Sequence, residues 1–396
     1  MISCNQMLIK RILHVVKREV REIIHDRLYL SILLILPIVM LSFFAIMFHD
    51  GTIKKLPIVL VDNDKSDMSR TLKRMLSATR GVDVAYESQS IDEAETMLLS
   101  GDVYGIIFIE DGFGSSIYRG IPVKVECYVS GTNMSASGVI ERDVQTVVRT
   151  FSAGISLSVL EAQGMSSNEA MVDIMPINFQ TNIVANPYLN YGYYLAPIFM
   201  FMCVVVFVTL STIYAVGREL RYATAPLWLQ QADGSLVAAL AGKMLPIFII
   251  MFLLSQAISS VLFVVMGMEC SCSYVELILA VAMLIIAYQS IGIFIISMTS
   301  DLRLGLSLGG GYAVMAFTFS GITFPTMAMF CVPRVLSYIF PLTYFSNIFV
   351  DQVMYGATLS DVSFEFVLFA LFLLLVPISW SRLRRVVSCD KYWGKD

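Results

Sequence analysis

Long apolar runs separated by three charge-rich stretches set the pattern of this chain. The charged residues crowd into residues 10–27, 50–173 and the tail after Arg382, and the remainder is nearly free of charge. Residues 9–28 carry Ile9, Ile12, Leu13, Val16, Val20, Ile23 and Ile24 at helical spacing, with Lys10, His14, Lys17, Arg18, Arg21 and His25 on the other side. A basic amphipathic helix beside a membrane span is expected to lie in the headgroup plane. Residues 28–48 are uncharged up to His49 and about 20 long, the length a hydrocarbon core of about 30 Å requires. Pro37 is expected to kink this span. Five more apolar stretches of span length follow, at 191–213, within 236–266, and at 275–298, 304–324 and 364–380.

Between the first and second spans the pattern is that of a water-soluble α/β fold. Short strands are expected at 57–62, 82–86, 103–109 and 122–129. They alternate with helices at 66–79, capped by Ser66 or Asp67, at 91–99, ended by Gly101, and at 133–163. The last helix carries Ile140, Val144, Val147, Val148, Phe151 and Ile155 on one face. Such alternation argues a small sheet covered by helices. The Asp62-Asn63-Asp64 cluster lacks the glycine and terminal glutamate of a calcium loop, so it reads as a capped strand-to-helix turn.

Residues 324–360 are apolar but broken by Pro325, Pro333 and Pro341, and they carry Arg334. Counting them as a span would place Arg382, Arg384 and Arg385 outside. Omitting them puts that cluster inside, where arginine belongs. The segment is therefore read as a broken, re-entrant helical hairpin on the outer side, tolerated where protein or a water cavity covers its backbone. The inner short segments then carry 15 Lys and Arg, against one, Arg334, in the outer short loops. The inserted domain, with 11 basic and 18 acidic residues, is expected outside.

The expected fold is a polytopic α-helical membrane protein with six transmembrane helices. It divides into an interfacial helix (1–27), the first transmembrane helix (28–48), an extracytoplasmic α/β domain (49–188), a five-helix transmembrane domain (189–381) and a cytosolic tail (382–396). The transmembrane domain contains a cytosolic loop (214–243) and the outer hairpin (324–360).

Composition agrees. The chain is 57% hydrophobic and 15% charged, against about 45–50% and about 25% for soluble domains. Its net charge of −4 is a sum over two compartments and gives no sign of a nucleic-acid partner. The first apolar run follows a long charged segment and lacks a small-residue cleavage site, so it is expected to be a retained signal anchor. Seven scattered cysteines show no zinc spacing, and no metal site is expected. Cys270 and Cys272 are too close for a relaxed bridge to each other. Pairing of either with Cys331 stays open, as does a set of free thiols. No phosphate-binding G-x-x-x-x-G-K-[ST] loop, H-E-x-x-H or G-x-S-x-G is present. His14, His25 and His49 lie outside the spans, which leaves proton relays and intramembrane proteases without their usual parts. Gln256 and Gln289, deep in spans, read as interhelical hydrogen-bonding groups or substrate contacts. Gly305 and Gly309 form a small-residue stripe for close helix packing.

Several stretches together carry a family resemblance. These are Leu56-Pro57-Ile58-Val59-Leu60-Val61-Asp62-Asn63-Asp64 with Ser69-Arg70, Ser100-Gly101-Asp102-Val103-Tyr104-Gly105, and Ala185-Asn186-Pro187-Tyr188-Leu189-Asn190-Tyr191. They continue with Gly217-Arg218-Glu219, Gly242-Lys243, Ser320-Gly321-Ile322-Thr323-Phe324-Pro325 and Phe340-Pro341-Leu342-Thr343-Tyr344-Phe345. In this order and spacing the chain resembles the type-2 ABC transporter permeases, in the branch with a large extracytoplasmic insertion after the first span. The resemblance implies an export permease in the bacterial inner membrane, both termini cytosolic, with no cofactor of its own. ATP and magnesium would sit on a separate cytosolic ATPase. A second permease subunit is implied, and a periplasmic adaptor and membrane lipid are further candidate partners. Arg218, Glu219, Arg221 and Lys243 are the expected residues for coupling to the ATPase. Pro325, Pro333 and Pro341 mark the outer hairpin, and the substrate-binding residues are unassigned. The chain departs from the family at Arg221-Tyr222-Ala223-Thr224-Ala225-Pro226, where a more charged run leading to Gly-Thr is usual. The alternative is a membrane-anchored receptor or envelope scaffold whose outer domain binds a partner without transport.

Overall fold

A computed structural model describes residues 2–49, 51, 53–175, 184–186 and 190–394. It forms two compact units, Met1–Gly51 with Val184–Asp396, and Thr52–Ile183. In chain order the elements are α1 (Ile2–His25), α2 (Arg27–Met47), β1 (Leu56–Asp62), α3 (Asp67–Ser77), β2 (Val82–Ser88), α4 (Ile91–Ser100), β3 (Gly105–Ile109), α5 (Phe113–Tyr118), β4 (Val125–Val129), α6 (Met134–Ala162) and α7 (Ser167–Ile174). They continue with α8 (Tyr191–Arg221), α9 (Ala225–Gln231), α10 (Leu236–Val265), α11 (Tyr274–Thr299), α12 (Leu302–Phe319), α13 (Cys331–Ser337), α14 (Pro341–Phe349) and α15 (Ser363–Ser388).

The inserted unit is the expected α/β fold. Its sheet has the order β2-β1-β3-β4, with β1 parallel to both neighbours and β4 antiparallel at the edge. Side-chain alternation splits the strands between two cores. Leu56, Ile58 and Leu60 join Ile107, Ile109 and the buried faces of α3 and α6, including Leu72, Leu76, Ile140, Val144 and Val147. Val59, Val61 and Ile106 face Ala94 of α4. Ser66 caps α3 by accepting the Ser69 N–H, and Gly101 ends α4 at φ 86°. The Asp62-Asn63-Asp64 carboxylates are spent on the turn. Asp62 accepts the amides of Asp64 and Lys65 and the Ser69 hydroxyl, and Asp64 accepts the Gly114 amide.

The other unit contains, among the described residues, six helices long and apolar enough to cross a membrane. The first span contains a π-turn at Ser31–Ile35, just before Pro37. Proline has no N–H for the normal ladder and crowds the preceding turn, which accounts for a local widening there. Two spans run beyond the apolar pattern: α8 continues to Arg221 and α15 to Ser388, because their last turns stay packed inside the unit. The junction into α8 is partly visible. Asn190 caps the helix by accepting the amides of Gly192 and Tyr193, while Pro187, Tyr188 and Leu189 lie outside the described residues. The stripe of small residues packs as expected: a Cβ on Gly309 would lie 2.2 Å from Ile213 Cδ1, and one on Gly305 3.1 Å from Ile213 Cγ2. Gln289 Nε2 donates across to Met244 O at 3.0 Å, and Gln256 Oε1 accepts the Tyr274 hydroxyl at 2.9 Å.

Residues 324–360 form short separate pieces. Pro325 precedes a single 3-10 turn, Pro333 lies in α13, and Pro341 starts α14. Arg334 holds the first piece together by donating to the carbonyls of Thr326 and Met327. Nearly all of α14 is buried, whereas α13 exposes Val332, Val335 and Leu336. Cys270, Cys272 and Cys331 are free thiols.

Candidate functional site

α1 has three faces rather than two. Ile9, Leu13, Val20 and Ile24 are exposed, so this part of the apolar stripe does not pack into this chain, whereas Ile12 and Ile23 do. Lys10, Lys17, Arg21 and His25 form a second exposed face. The third face, with Val15, Glu19 and Ile23, is buried against the unit. At 3.6 residues per turn, Glu19 and Glu22 fall with Val15, Ile23 and Asp26 on this side. The docking point is Gly242 at the start of α10. A Cβ there would meet Val15 Cβ at 2.6 Å and Ile12 O at 2.9 Å, so only glycine admits α1 this closely.

One residue further on, Lys243 enters a charge cluster. Its Nζ donates to Glu19 Oε2 at 2.6 Å and to Glu219 Oε1 at 3.0 Å. Glu19, Lys243 and Glu219 are only 1%, 1% and 2% exposed. Glu219 Oε2 accepts from Arg18 Nη2 at 3.0 Å and from the Thr224 hydroxyl. Glu19 Oε1 accepts the Tyr29 hydroxyl at 2.7 Å. Arg218 extends the cluster, donating to Glu22 Oε2 at 2.7 Å and standing 3.6 Å from Asp26 Oδ2. Asp26 also accepts the Tyr214 hydroxyl at 2.7 Å and caps α2 through the amides of Leu28 and Tyr29. The indole of Trp228 lies 5.2 Å from Lys243 Nζ and donates to Ala239 O at 3.1 Å. Buried charges at this density are tolerable only because each carboxylate has charged or hydroxyl partners.

Four segments therefore meet at one end of the helical unit: α1, the end of α8 with the loop, the start of α10, and the tail. The tail reaches it through Gly394, whose amide donates to Leu220 O at 3.0 Å. The connection between α11 and α12 joins them, since a Cβ on Gly217 would meet Leu302 Cδ1 at 2.7 Å. These are the same segments that the charge distribution assigns to one side of a membrane.

The loop itself contains an element that the apolar pattern did not announce. Ala223 takes φ 55° and ends α8 with the Thr224 amide donating to Glu219 O at 2.9 Å. The chain then turns into α9, started by Pro226. The unusual segment 221–226 is thus a helix cap and a helix start. α9 buries Ala225 and Trp228 and exposes Pro226, Leu227, Gln230 and Gln231, with Tyr222 exposed beside it. Arg11 of α1 bonds Asp233, just after α9, at 2.8 Å. Of the four residues chosen from sequence, Arg218, Glu219 and Lys243 enter the cluster, and Arg221, half-buried, lies 5.9 Å from the Tyr222 ring. Glu19, Glu22 and Asp26 were missed. Their signal was available, since acidic residues at i, i+3 and i+7 share one face of an otherwise basic helix.

Comparison with known proteins adds a family. The model described as ABC-2 family transporter protein matches residues 27–379. No curated protein and no solved structure matches the chain.

Proposed function

We propose, for a chain that belongs to the ABC-2 transporter family and is thereby the permease component of an ATP-driven transport system, that the end holding the charge cluster receives force from the ATPase. The observation that carries this is the exposed face of α9 standing over a buried ionic joint. Tyr222, Pro226 and Leu227 offer an apolar contact to a docking ATPase. Glu219 and Lys243, being buried, act inside the permease. They tie the loop to α1, so displacement of α9 also moves the interfacial helix and, through Asp26, the start of α2. A packed joint of this kind can bias a bistable membrane element.

In this reading α1, the loop and both termini face the cytosol of a bacterial cell, and residues 52–183 lie outside. The permease works with a second copy or a paired relative and exports its cargo, with or without an outer adaptor. The distribution of 15 basic residues against one supports the orientation. The exposed apolar stripe of α1 supports its lying on the inner leaflet. ATP and magnesium belong to the partner.

Co-purification with the ATPase tests the assignment. Leu227→Asp, which leaves Trp228 and the cluster untouched, is expected to abolish recovery of the ATPase while the permease still elutes as a single species. Full recovery with the Leu227→Asp chain would place the docking surface elsewhere. Inside-out vesicles containing both subunits test direction: export requires ATP-dependent accumulation of cargo in the lumen.

A further inference from the structure

The turn between α10 and α11 reads Met266-Gly267-Met268-Glu269-Cys270-Ser271-Cys272 and lies outside the long apolar helices. In an extended strand, side chains two residues apart share a face but remain well separated. Here the backbone bends so that Cys270 Sγ and Cys272 Sγ stand 3.4 Å apart. The bend is held from outside. The Ser271 amide, between the two cysteines, donates to Val353 O at 3.1 Å, and a Cβ on Gly356 would meet Ser271 Cβ at 3.3 Å. The Tyr193 hydroxyl fixes the residues before the bend, sharing its proton between Met266 O at 3.0 Å and Gly267 O at 2.9 Å. Cys270 is exposed and Cys272 half-buried, so the pair is open to solute.

We propose that Cys270 and Cys272 form a two-thiolate site for a soft monovalent cation of the copper(I) class. Soft thiolate ligands select such ions. Among the described residues no group of three or more His, Cys, Asp or Glu is placed to hold a metal, so the four-ligand shell that zinc prefers is not built here. Copper(I) accepts two sulfur ligands. With a metal–thiolate bond of ~2.3 Å, as for zinc, one ion spans sulfurs up to ~4.6 Å apart, within reach of a small rotation of the exposed Cys270 side chain. On binding, each thiol releases its proton to water and gives a sulfur lone pair to the ion. No electron changes hands. The bound ion would lock the bend between the two cysteines. The site is independent of the direction of transport.

The test is anaerobic competition with copper(I) bicinchoninate, using the reduced full-length chain in detergent. One variant keeps only Cys270 and Cys272, with the other five cysteines changed to Ser. A second keeps those five and carries Cys270→Ser and Cys272→Ser. The first is expected to withdraw one copper per chain, and the second none. Adding Cys270→Ser to the first should weaken binding at least a hundredfold. X-ray absorption of the loaded first variant should show two sulfur neighbours. No withdrawal by the first variant, or equal withdrawal by the second, overturns the proposal. A third sulfur neighbour also overturns the two-ligand assignment. Elution of each variant as a single species shows that the fold is kept.

Discussion

Lys243→Met removes the cation that separates two buried carboxylates, Glu19 and Glu219. Methionine keeps the length and the contact with Trp228, so the change is one of charge. Of the side chains whose contacts define the cluster, four are carboxylates (Glu19, Glu22, Asp26 and Glu219) and three are cations (Arg18, Arg218 and Lys243). Glu219 would retain Arg18, but Glu19 would keep only the Tyr29 hydroxyl. Removing one partner of a buried ion pair costs ~3–5 kcal/mol, mostly from the stranded charge. At about 1.4 kcal/mol per tenfold, the undocked population of α1 should rise about a hundred- to several-thousand-fold. Hydrogen exchange reads this directly, because amides protected only by docking exchange in proportion to the open population. The amides of residues 15–25 should lose protection by that factor, while those of β1 and β3 keep theirs. Adding Glu19→Gln to Lys243→Met removes the stranded charge and should restore most of the loss. A change under tenfold with Lys243→Met, or a further loss on adding Glu19→Gln, would refute the electrostatic account of docking.

Other perturbations separate packing from charge. Gly309→Val forces a side chain into Ile213 and is expected to cost ~1–3 kcal/mol, seen as a lower thermal midpoint in detergent. Gly311→Val meets open space and should leave that midpoint unchanged. Gly242→Ala should release α1 much as Lys243→Met does, because its Cβ meets Val15 and the Ile12 carbonyl, and residues 15–25 should exchange faster. Trp228→Ala should destabilise by ~3–5 kcal/mol, measured as loss of folded permease on heating. Calcium chelation should leave the melting of residues 52–183 unchanged, since the carboxylates of Asp62 and Asp64 already serve the turn.

The spans and the sheet were legible because their signals are local and repeated. Residues 57–62 alternate between two cores, and Ser66 and Gly101 stand at helix ends where their chemistry is needed. Gly305 and Gly309 announced a close contact, though not that Ile213 fills it. The loop was harder. α9 has only seven residues, and the turn before it uses Ala223 rather than glycine at positive φ, so the usual glycine marker for the end of α8 was absent. The charge cluster was harder still. Glu219 meets Arg18 across about 200 positions of sequence, and no local period encodes such a pairing. Arg218, Glu219 and Lys243 stood out as charges beside spans, which gave their place but not their burial.

The most direct test of the central claim is site-specific photocrosslinking in the active complex. Benzoylphenylalanine would replace Leu227 on α9 in one chain and Met327, exposed in the 3-10 turn after Pro325, in another. A crosslink from position 227 to the ATPase, with none from position 327, is the expected result. A crosslink from position 327, or none from 227 in a complex that still hydrolyses ATP, would contradict the assignment of this end to the ATPase.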